Sequence, residues 1–457
     1  MNNPRLLTGW LVVALMSSGV CVYAQQTAEQ QIQPQSEQSV NASSPTVYTL
    51  DRLFEIAEAN SVQLRPARAA EQEAAAEIEV AKLNRLPDIE ANLSFSFIGD
   101  GFTTKRDFSD YQKAAIPHFG NNFGINVTQP VYAGGAITKG IELAELKLTA
   151  SRYATDFSRE NIRFAITGFY LDIYKYHNLR SVVEQNISQA QQVLTQMRNR
   201  HDQGMALHND ITRYELLVKN LELQLIKIDN TIRILNDNLV TMVGLDAGTI
   251  ITPDSTILSG SLPSRSEASW REEALANSPS LHLAQSQLDI SRKAEELVYA
   301  DRLPKVGLQA AYSLEGPILV EVPPINRNLS YWYVGVGVSY NLSSLFKNDK
   351  SMAKAKAATA TAMEQLDVLR ENTELDVRTD YVRYLEAYEE LKTNEKSVEL
   401  ARSNYSVVET RYGAGMALVT DMLDAANSIL DAEQQLVNAR INIIYYYYKL
   451  LFTSGQI

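Results

Sequence analysis

The chain has 457 residues, of which 45% are hydrophobic and 21% charged, and its 54 acidic and 42 basic side chains give a formal net charge of -12. This composition is not that of a disordered chain, and the acidic balance argues against nucleic acid as a partner, because nucleic-acid-binding proteins carry a basic surface. The only cysteine, Cys21, lies in a segment that we expect to be removed, which argues against disulfides, cysteine metal ligands and a cysteine nucleophile in the mature chain.

Residues 1–24 have the pattern of a signal peptide. Arg5 supplies a positive charge, residues 11–15 form an apolar run, and the segment ends at Ala24, a suitable cleavage site. A lipoprotein signal ending at Cys21 is the alternative, but Val20 is not the small residue that usually precedes a lipidated cysteine. Residues 25–46 are rich in Gln, Ser and Pro, which predicts a flexible leader.

The rest of the chain is predicted to be an internal two-fold repeat. The segment 57–64 recurs at 274–281, and the Gly-Met-Ala-Leu segment 204–207 recurs at 415–418. Self-similarity on this scale is the sequence signature of a fold built from repeated units. We therefore divide the mature chain into a first repeat over 47–243, a linker over 244–267 and a second repeat over 268–457.

Each repeat is predicted to contain a helix, two strands, a long helix and a return helix. In the first repeat these are a helix over 47–84, strands over about 88–98 and 121–132, a long helix over 136–201 and a return helix over 208–243. In the second repeat they are a helix over 268–300, strands over about 305–314 and 331–342, a long helix over 349–412 and a return helix over 420–453. Loops of different length separate the two strands of each repeat.

The four strand segments alternate with a period of two residues. In the first strand Ile89, Leu93 and Phe97 alternate with polar side chains, and in the fourth Val334 and Val336 alternate with glycines. One apolar face and one small or polar face are expected of strands that lie between lipid and a watery lumen. A soluble β-sandwich, whose strands also alternate, is the alternative.

The long helices are predicted from the absence of proline over 131–252 and 325–457. Each outgoing helix can run for about 65 residues, which is roughly 100 Å at 1.5 Å per residue. Apolar residues in the return helices follow three-four spacing, as at Ile211, Tyr214 and Val218. This spacing is typical of a coiled coil.

Four strands cannot close a barrel, and open strand edges are not tolerated in lipid, so several chains must pool their strands. Two chains would form an eight-stranded barrel, whose interior is filled by side chains. Three chains would form a twelve-stranded barrel, which leaves a lumen. The predicted fold is therefore mainly α with membrane β: a homotrimeric 12-stranded β-barrel, four strands per chain, that continues into a long α-helical coiled-coil tunnel.

Several of these segments resemble the TolC-type outer-membrane efflux proteins. The second repeat contains Arg411-Tyr412, Gly415-Met416 and Asp421 in the order of that family's hairpin tip. The segment 129–135, Gln-Pro-Val-Tyr-Ala-Gly-Gly, resembles the turn at which the family's chain leaves the barrel. The resemblance covers nearly the whole mature chain.

The resemblance implies an outer-membrane exit duct of a Gram-negative bacterium, with its helical tunnel in the periplasm. Such a duct serves a tripartite efflux pump or a type I secretion system, and its partners are a periplasmic adaptor protein, an inner-membrane transporter and outer-membrane lipid. The alternative from another class is an exported, soluble coiled-coil scaffold with a small β-cap. Detergent-dependent solubility and ion conductance distinguish the two hypotheses.

The family resemblance further implies that the adaptor docks at the two helical tips. The residues carried over are, in the first tip, Arg200, Gly204, Met205 and Asp210, and in the second, Arg411, Gly415, Met416 and Asp421. Glycine lets the chain turn without a Cβ clash, and the aspartate can cap the return helix. A role in the turn alone is the alternative for the arginines and aspartates, whereas exposed methionines at a turn suggest a contact.

Two further features bear on function. The family resemblance implies a tunnel that narrows near the tips, often with acidic side chains facing the pore. Glu395 and Glu399 lie four residues apart before the second tip and are candidates for this gate, although an ordinary solvated face explains them equally well. His201 and His208 flank the first tip without a further ligand, so no metal site or other cofactor is predicted. The sequence contains no nucleophile motif, phosphate-binding glycine loop or catalytic carboxylate pair, which argues against an enzyme.

Overall fold

The computed structural model describes residues 46–254, 262–263, 265–321 and 324–457. The predicted signal peptide, and the leader up to residue 45, lie outside the described residues. The elements of the first repeat are, in chain order, β1 (Thr46–Tyr48), α1 (Leu50–Asn60), α2 (Arg65–Leu83), β2 (Asp88–Phe97), β3 (Gly101–Thr103), β4 (Gln112–Ala114), β5 (Phe119–Ala133), α3 (Ala136–Asp202) and α4 (His208–Val243). The elements after it are β6 (Ile251–Pro253), α5 (Glu267–Asn277), α6 (Pro279–Ala300), β7 (Lys305–Gly316), β8 (Leu329–Ser339), α7 (Ser344–Gly413) and α8 (Val419–Thr453).

The segments expected as single helices at 47–84 and 268–300 are each divided into two helices. The division follows Asn60 in the first repeat and Asn277 in the second, and both times a serine with non-helical backbone angles comes next. Pro66 and Pro279 then stand at the start of α2 and α6. Proline is favoured in the first turn of a helix, where its missing N–H needs no partner and its φ is already helical, so it tends to begin a helix rather than continue one. In the second repeat Pro279 also disfavours helical angles at Ser278, the residue directly before it.

Four short strands, β1, β3, β4 and β6, lie in or at the border of segments predicted as leader, loop or linker. The strand β6 lies in the predicted linker and pairs in parallel with β1, with Thr46 opposite Ile251. The strands β3 and β4 form a hairpin within the loop 99–120. Each of these strands has three residues, which is too short to show an alternating pattern.

The two long helices form the frame of the molecule. α3 has 67 residues and α7 has 70, about 100 Å each at 1.5 Å per residue. α7 begins five residues earlier than expected, because the Asn341 side chain accepts hydrogen bonds from the Ser343 N–H and hydroxyl, and the Ser344 hydroxyl donates to the Asn341 carbonyl. Among the described residues, no helix combines the length and apolarity that a membrane crossing requires.

The helices pack side by side, and their order differs between the sheet end and the tip end of the two long helices. Near the sheet the order is α2, α3, α6, α7, and toward the hairpin tips it is α4, α3, α8, α7. The three-four positions of the return helices are buried in these contacts, as at Ile211, Tyr214 and Val218 in α4 and Met422 and Ile429 in α8. Consequently α7 is at one lateral edge throughout, and α2 and α4 are at the other.

The main sheet is antiparallel, with the strand order β2, β5, β7, β8. Its register aligns the alternating patterns of all four strands. One row, for example, runs from Ile89 through Val127 and Ala310 to Val334. Since successive side chains of a strand point to opposite faces, the predicted apolar residues share one face and the polar or small ones the other. This apolar face is exposed in the single chain.

Candidate functional site: the helical hairpin tips

The first tip joins α3 to α4 through a glycine with left-handed backbone angles. Gly204 has φ 73°, and its N–H donates to the His201 carbonyl at 2.8 Å. The N–H of Met205 donates to the Arg200 carbonyl, also at 2.8 Å. These two bonds are the Schellman arrangement, which satisfies carbonyls at the end of a helix and favours glycine at the left-handed position.

The second tip, between α7 and α8, repeats the same geometry. Gly415 has φ 75°, its N–H donates to the Tyr412 carbonyl at 3.0 Å, and the N–H of Met416 donates to the Arg411 carbonyl at 2.8 Å. Both predicted glycines are therefore required by the turn itself. Both predicted methionines follow directly, at positions that the turn directs outward.

The two predicted aspartates lie in the first turn of the return helices. The Asp421 carboxylate accepts a hydrogen bond of 2.9 Å from the Leu418 N–H and so caps α8. Asp210 occupies the equivalent position in α4, where its own N–H donates to the Leu207 carbonyl at 3.0 Å. Negative charge at these positions also complements the positive end of the helix dipole. Asp421 thus has a structural role that is independent of any partner.

The tips expose four large apolar side chains. The exposed fractions are 60% for Met205, 71% for Leu207, 66% for Met416 and 70% for Leu418. Leu207 and Leu418 were not among the predicted contact residues. The repeated Gly-Met-Ala-Leu segment already pointed to them, because both repeats have a leucine two residues after the methionine at an exposed turn, where it has no packing role within the chain.

Arg200 connects the first tip to the second. Its guanidinium donates to the Tyr412 carbonyl at 2.6 Å and to the Gly413 carbonyl at 3.3 Å, and it stacks over the Tyr412 ring at 5.1 Å. Burial raises the pKa of the Tyr412 hydroxyl, and the Arg200 charge opposes that rise. Arg411, which matches Arg200 in the repeat, is exposed, and its side chain has no hydrogen bond or ion pair among the described residues.

A groove of about 380 Å³ lies between the tips, lined by Arg200, Met205, Leu207, Tyr412 and Leu418 among others. Beneath it, side chains from all four helices form one core cluster, which includes Met197, Ile211, Tyr214, Tyr405, Tyr412 and Met422. The tips are therefore anchored on a shared core, and their apolar residues lie on its outer side.

The other predicted residues lie away from this groove. Glu395 is 3.9 Å from Arg440 and Glu399 is 2.7 Å from Lys396, and both ion pairs are exposed. The His201 and His208 rings are 5.9 Å apart. Within the described part of the chain, no group of three or more His, Cys, Asp or Glu side chains is arranged to hold a metal ion.

Long paired helices, a four-stranded sheet with an exposed apolar face and exposed apolar hairpin tips together define the architecture of an outer-membrane channel protein. The profile of the family described as outer membrane efflux protein matches residues 53–245 and 270–446, so the chain belongs to this family. The resemblance to TolC-type proteins is thereby confirmed. So is the predicted location, the outer membrane with the helical part in the periplasm.

Individual relatives are distant in sequence but extend over most of the chain. The pyoverdine export outer membrane protein OpmQ of Pseudomonas putida is 22% identical over 406 residues, which covers 86% of this chain and 83% of that protein. The outer membrane protein TolC of Vibrio cholerae is 20% identical over 324 residues, covering 70% and 73%. The solved structure of the outer membrane protein VceC from Vibrio cholerae shares the fold, with a TM-score of 0.73 and 18% identity over 89% of this chain and 96% of that one.

Proposed function

We propose that this chain forms the exit duct of a tripartite efflux pump or a type I secretion system. Three copies pool their sheets into a twelve-stranded barrel in the outer membrane, and their helices continue as a periplasmic tunnel. A periplasmic adaptor docks at the hairpin tips and couples the duct to an inner-membrane transporter. Substrates then pass through the lumen to the cell exterior without chemical change, since the family consists of efflux channels rather than enzymes.

The observation that carries this proposal is the aligned register of the sheet. All four strands present their apolar residues on one face, as in the row from Ile89 to Val334, while the edge strands β2 and β8 have one neighbour each in the described chain. In lipid, the unpaired N–H and C=O groups of an open edge would each cost several kcal/mol. Pairing β8 of one copy with β2 of the next removes both edges when the ring closes.

The helical part has two unpartnered edges of the same kind. On α7, Leu400 and Val407 are exposed seven residues apart, level with the core cluster beneath the tips. On α4, at the other edge, Leu216 and Leu223 are exposed with the same interval. Apolar residues repeated every seven positions form the contact line of a coiled coil. Packing of α7 against α4 of the next copy would bury both lines and close the tunnel.

The hairpin tips support adaptor docking through Met205, Leu207, Met416 and Leu418. These side chains remain exposed beside a groove of about 380 Å³. The core of a stable protein interface is usually formed by such apolar side chains with a polar rim. Arg200, Asp210, Arg411 and Asp421 belong to that rim in this proposal, although Arg200 and Asp421 also stabilise the tips themselves.

Glu395 and Glu399 are proposed as carboxylates of an acidic constriction. Supporting this, both are exposed in the single chain and their cationic partners are equally exposed. An acidic ring favours cations over anions. Replacing both with glutamine is expected to lower the cation-to-anion permeability ratio of the reconstituted channel, and an unchanged ratio would remove them from the pore.

The test is to count subunits of the protein after extraction from membranes. The duct requires detergent for solubility, and native mass spectrometry should show three copies. The competing soluble scaffold would leave the membrane fraction without detergent and need not be a trimer; membership of an outer-membrane efflux family already argues against it. A detergent-independent monomer would overturn the proposal.

A further inference from the structure

A polar cavity of about 600 Å³ lies where the sheet meets the long helix α7. Its walls include Lys305 at the start of β7, Ser339 and Asn341 at the end of β8, Lys347 in the first turn of α7, and Asp301 after α6. The cavity includes the end of β8, which is an edge strand of the sheet. A further strand added at this edge would therefore run beside the cavity.

The cavity has an excess of positive charge. Lys305 is 3.4 Å from Asp301, so one lysine and one carboxylate are paired within the chain. Lys347 is exposed, and no ion pair of its side chain is present among the described residues. One positive charge in the cavity lining is thus left without an ion-pair partner in the described chain.

The opposite edge of the same sheet carries the complementary charge. β2 begins at Asp88, and Asp88 and Glu90 are both exposed and without ion pairs in the described chain. Asp88 is opposite Thr128, which is opposite Gln309, and Gln309 lies four residues after Lys305 on β7. Because side chains four residues apart on a strand share a face, both carboxylates are on the face that carries Lys305.

We propose that Asp88 and Glu90 of a second copy complete this cavity and supply the carboxylate that pairs with Lys347. β8 has 11 residues and β2 has 10, and the end of β8 and the start of β2 are both at the helical end of the sheet. Antiparallel pairing over their full length places Ser339 beside the segment 88–90. A shift by one residue would exchange the two faces of the strand, so the register can change only in steps of two residues. The residue opposite Ser339 is therefore Asp88 or Glu90.

This inference rests on the proposed ring of copies and assigns its register. The contact is a charge pair at the inner end of each β8–β2 seam, on the polar face of the sheet. It would hold the seam in one register, because sliding by two residues moves the carboxylates about 7 Å along the strand and away from Lys347.

Disulfide trapping tests the register directly. In a Cys21→Ser background, Ser339→Cys is combined with Asp88→Cys or with Glu90→Cys, and the matched control combines Ser339→Cys with Ser94→Cys. A disulfide needs Cα atoms within about 7 Å, whereas residue 94 lies about 13 Å further along the strand than residue 90. One of the first two pairs should give covalently linked trimers. The inference is overturned if only the control pair forms a disulfide between copies. It is also overturned if the protein is a trimer and none of the three pairs forms a disulfide.

A charge exchange tests the pairing itself. Lys347→Glu and Glu90→Lys should each weaken trimer association by about fivefold per contact, and the double variant should recover most of that loss. Lys350→Glu, which changes a nearby lysine that does not line the cavity, serves as the control. Additive losses in the double variant would show that the two residues do not interact. If the wild-type protein is not a trimer at all, the proposed function fails instead, so the two failures are distinguishable.

Discussion

Replacing Arg200 with alanine should release the first hairpin tip from the second. The substitution removes a charged hydrogen bond of 2.6 Å to the Tyr412 carbonyl, a longer one of 3.3 Å to the Gly413 carbonyl, and the stacking over the Tyr412 ring. A hydrogen bond to a charged group contributes about 1.5–3 kcal/mol, and an exposed cation–π contact about 0.5–1 kcal/mol. Because contributions at one site overlap, we expect a loss of about 2 kcal/mol.

A loss of about 2 kcal/mol corresponds to a roughly 30-fold rise in the population of separated tips. Hydrogen exchange resolved to the segment 410–418 reports on this, because Arg200 and the Gly415 N–H both donate to the Tyr412 carbonyl, so the loss of Arg200 should loosen the turn that protects the Gly415 and Met416 amides. Arg411→Ala is the matched control, since it removes the equivalent arginine of the repeat, whose side chain is exposed and has no hydrogen bond or ion pair among the described residues. Equal exchange in Arg200→Ala and Arg411→Ala would refute the reasoning.

Three further substitutions test other parts of the account. Gly415→Ala should destabilise the second tip by about 1–2 kcal/mol, because the φ of Gly415 is 75°. Gly413→Ala is the control and should be neutral or stabilising, because Gly413 is helical and an added Cβ would meet open space. Thermal unfolding of the two variants measures the difference. Burial raises the pKa of Glu160 to about 7, so the folded state holds its proton more tightly than the unfolded state, and the free energy of unfolding should fall as pH rises from about 4.5 to 7. Glu160→Gln should remove that part of the pH dependence, and an unchanged pH profile would contradict the assignment. Met205→Ala and Met416→Ala should each weaken binding to the purified adaptor by about tenfold without lowering trimer yield, as measured by surface plasmon resonance; full affinity in both variants would argue against docking at the tips.

The strands and long helices were predictable because their signals are local and repeated. Alternation at Ile89, Leu93 and Phe97 determines which face each residue occupies, and a sheet of this kind can align such patterns in few ways. Each repeat also has more than a hundred residues without proline, and its return helix has apolar residues at three-four spacing. Together these two features predict long paired helices. Family resemblance then supplied the location, which no local pattern contains.

The contacts within the site were not predictable, because they depend on distances between residues far apart in the chain. The repeat makes Arg200 and Arg411 equivalent in sequence, yet only Arg200 reaches the opposite tip, where it meets Tyr412 more than two hundred residues later. The parallel pair of β1 and β6 was missed for the same reason, since each strand is too short to carry its own pattern. Leu207 and Leu418, in contrast, were visible in the repeat.

The central claim is that the chain forms a conducting duct, and single-channel recording in planar bilayers tests it most directly. The purified mature protein, confirmed as a trimer by crosslinking, should give small, cation-selective currents that are absent from mock preparations. Trimers that reach the bilayer and never conduct, in repeated reconstitutions and over a wide range of voltage, would contradict the account.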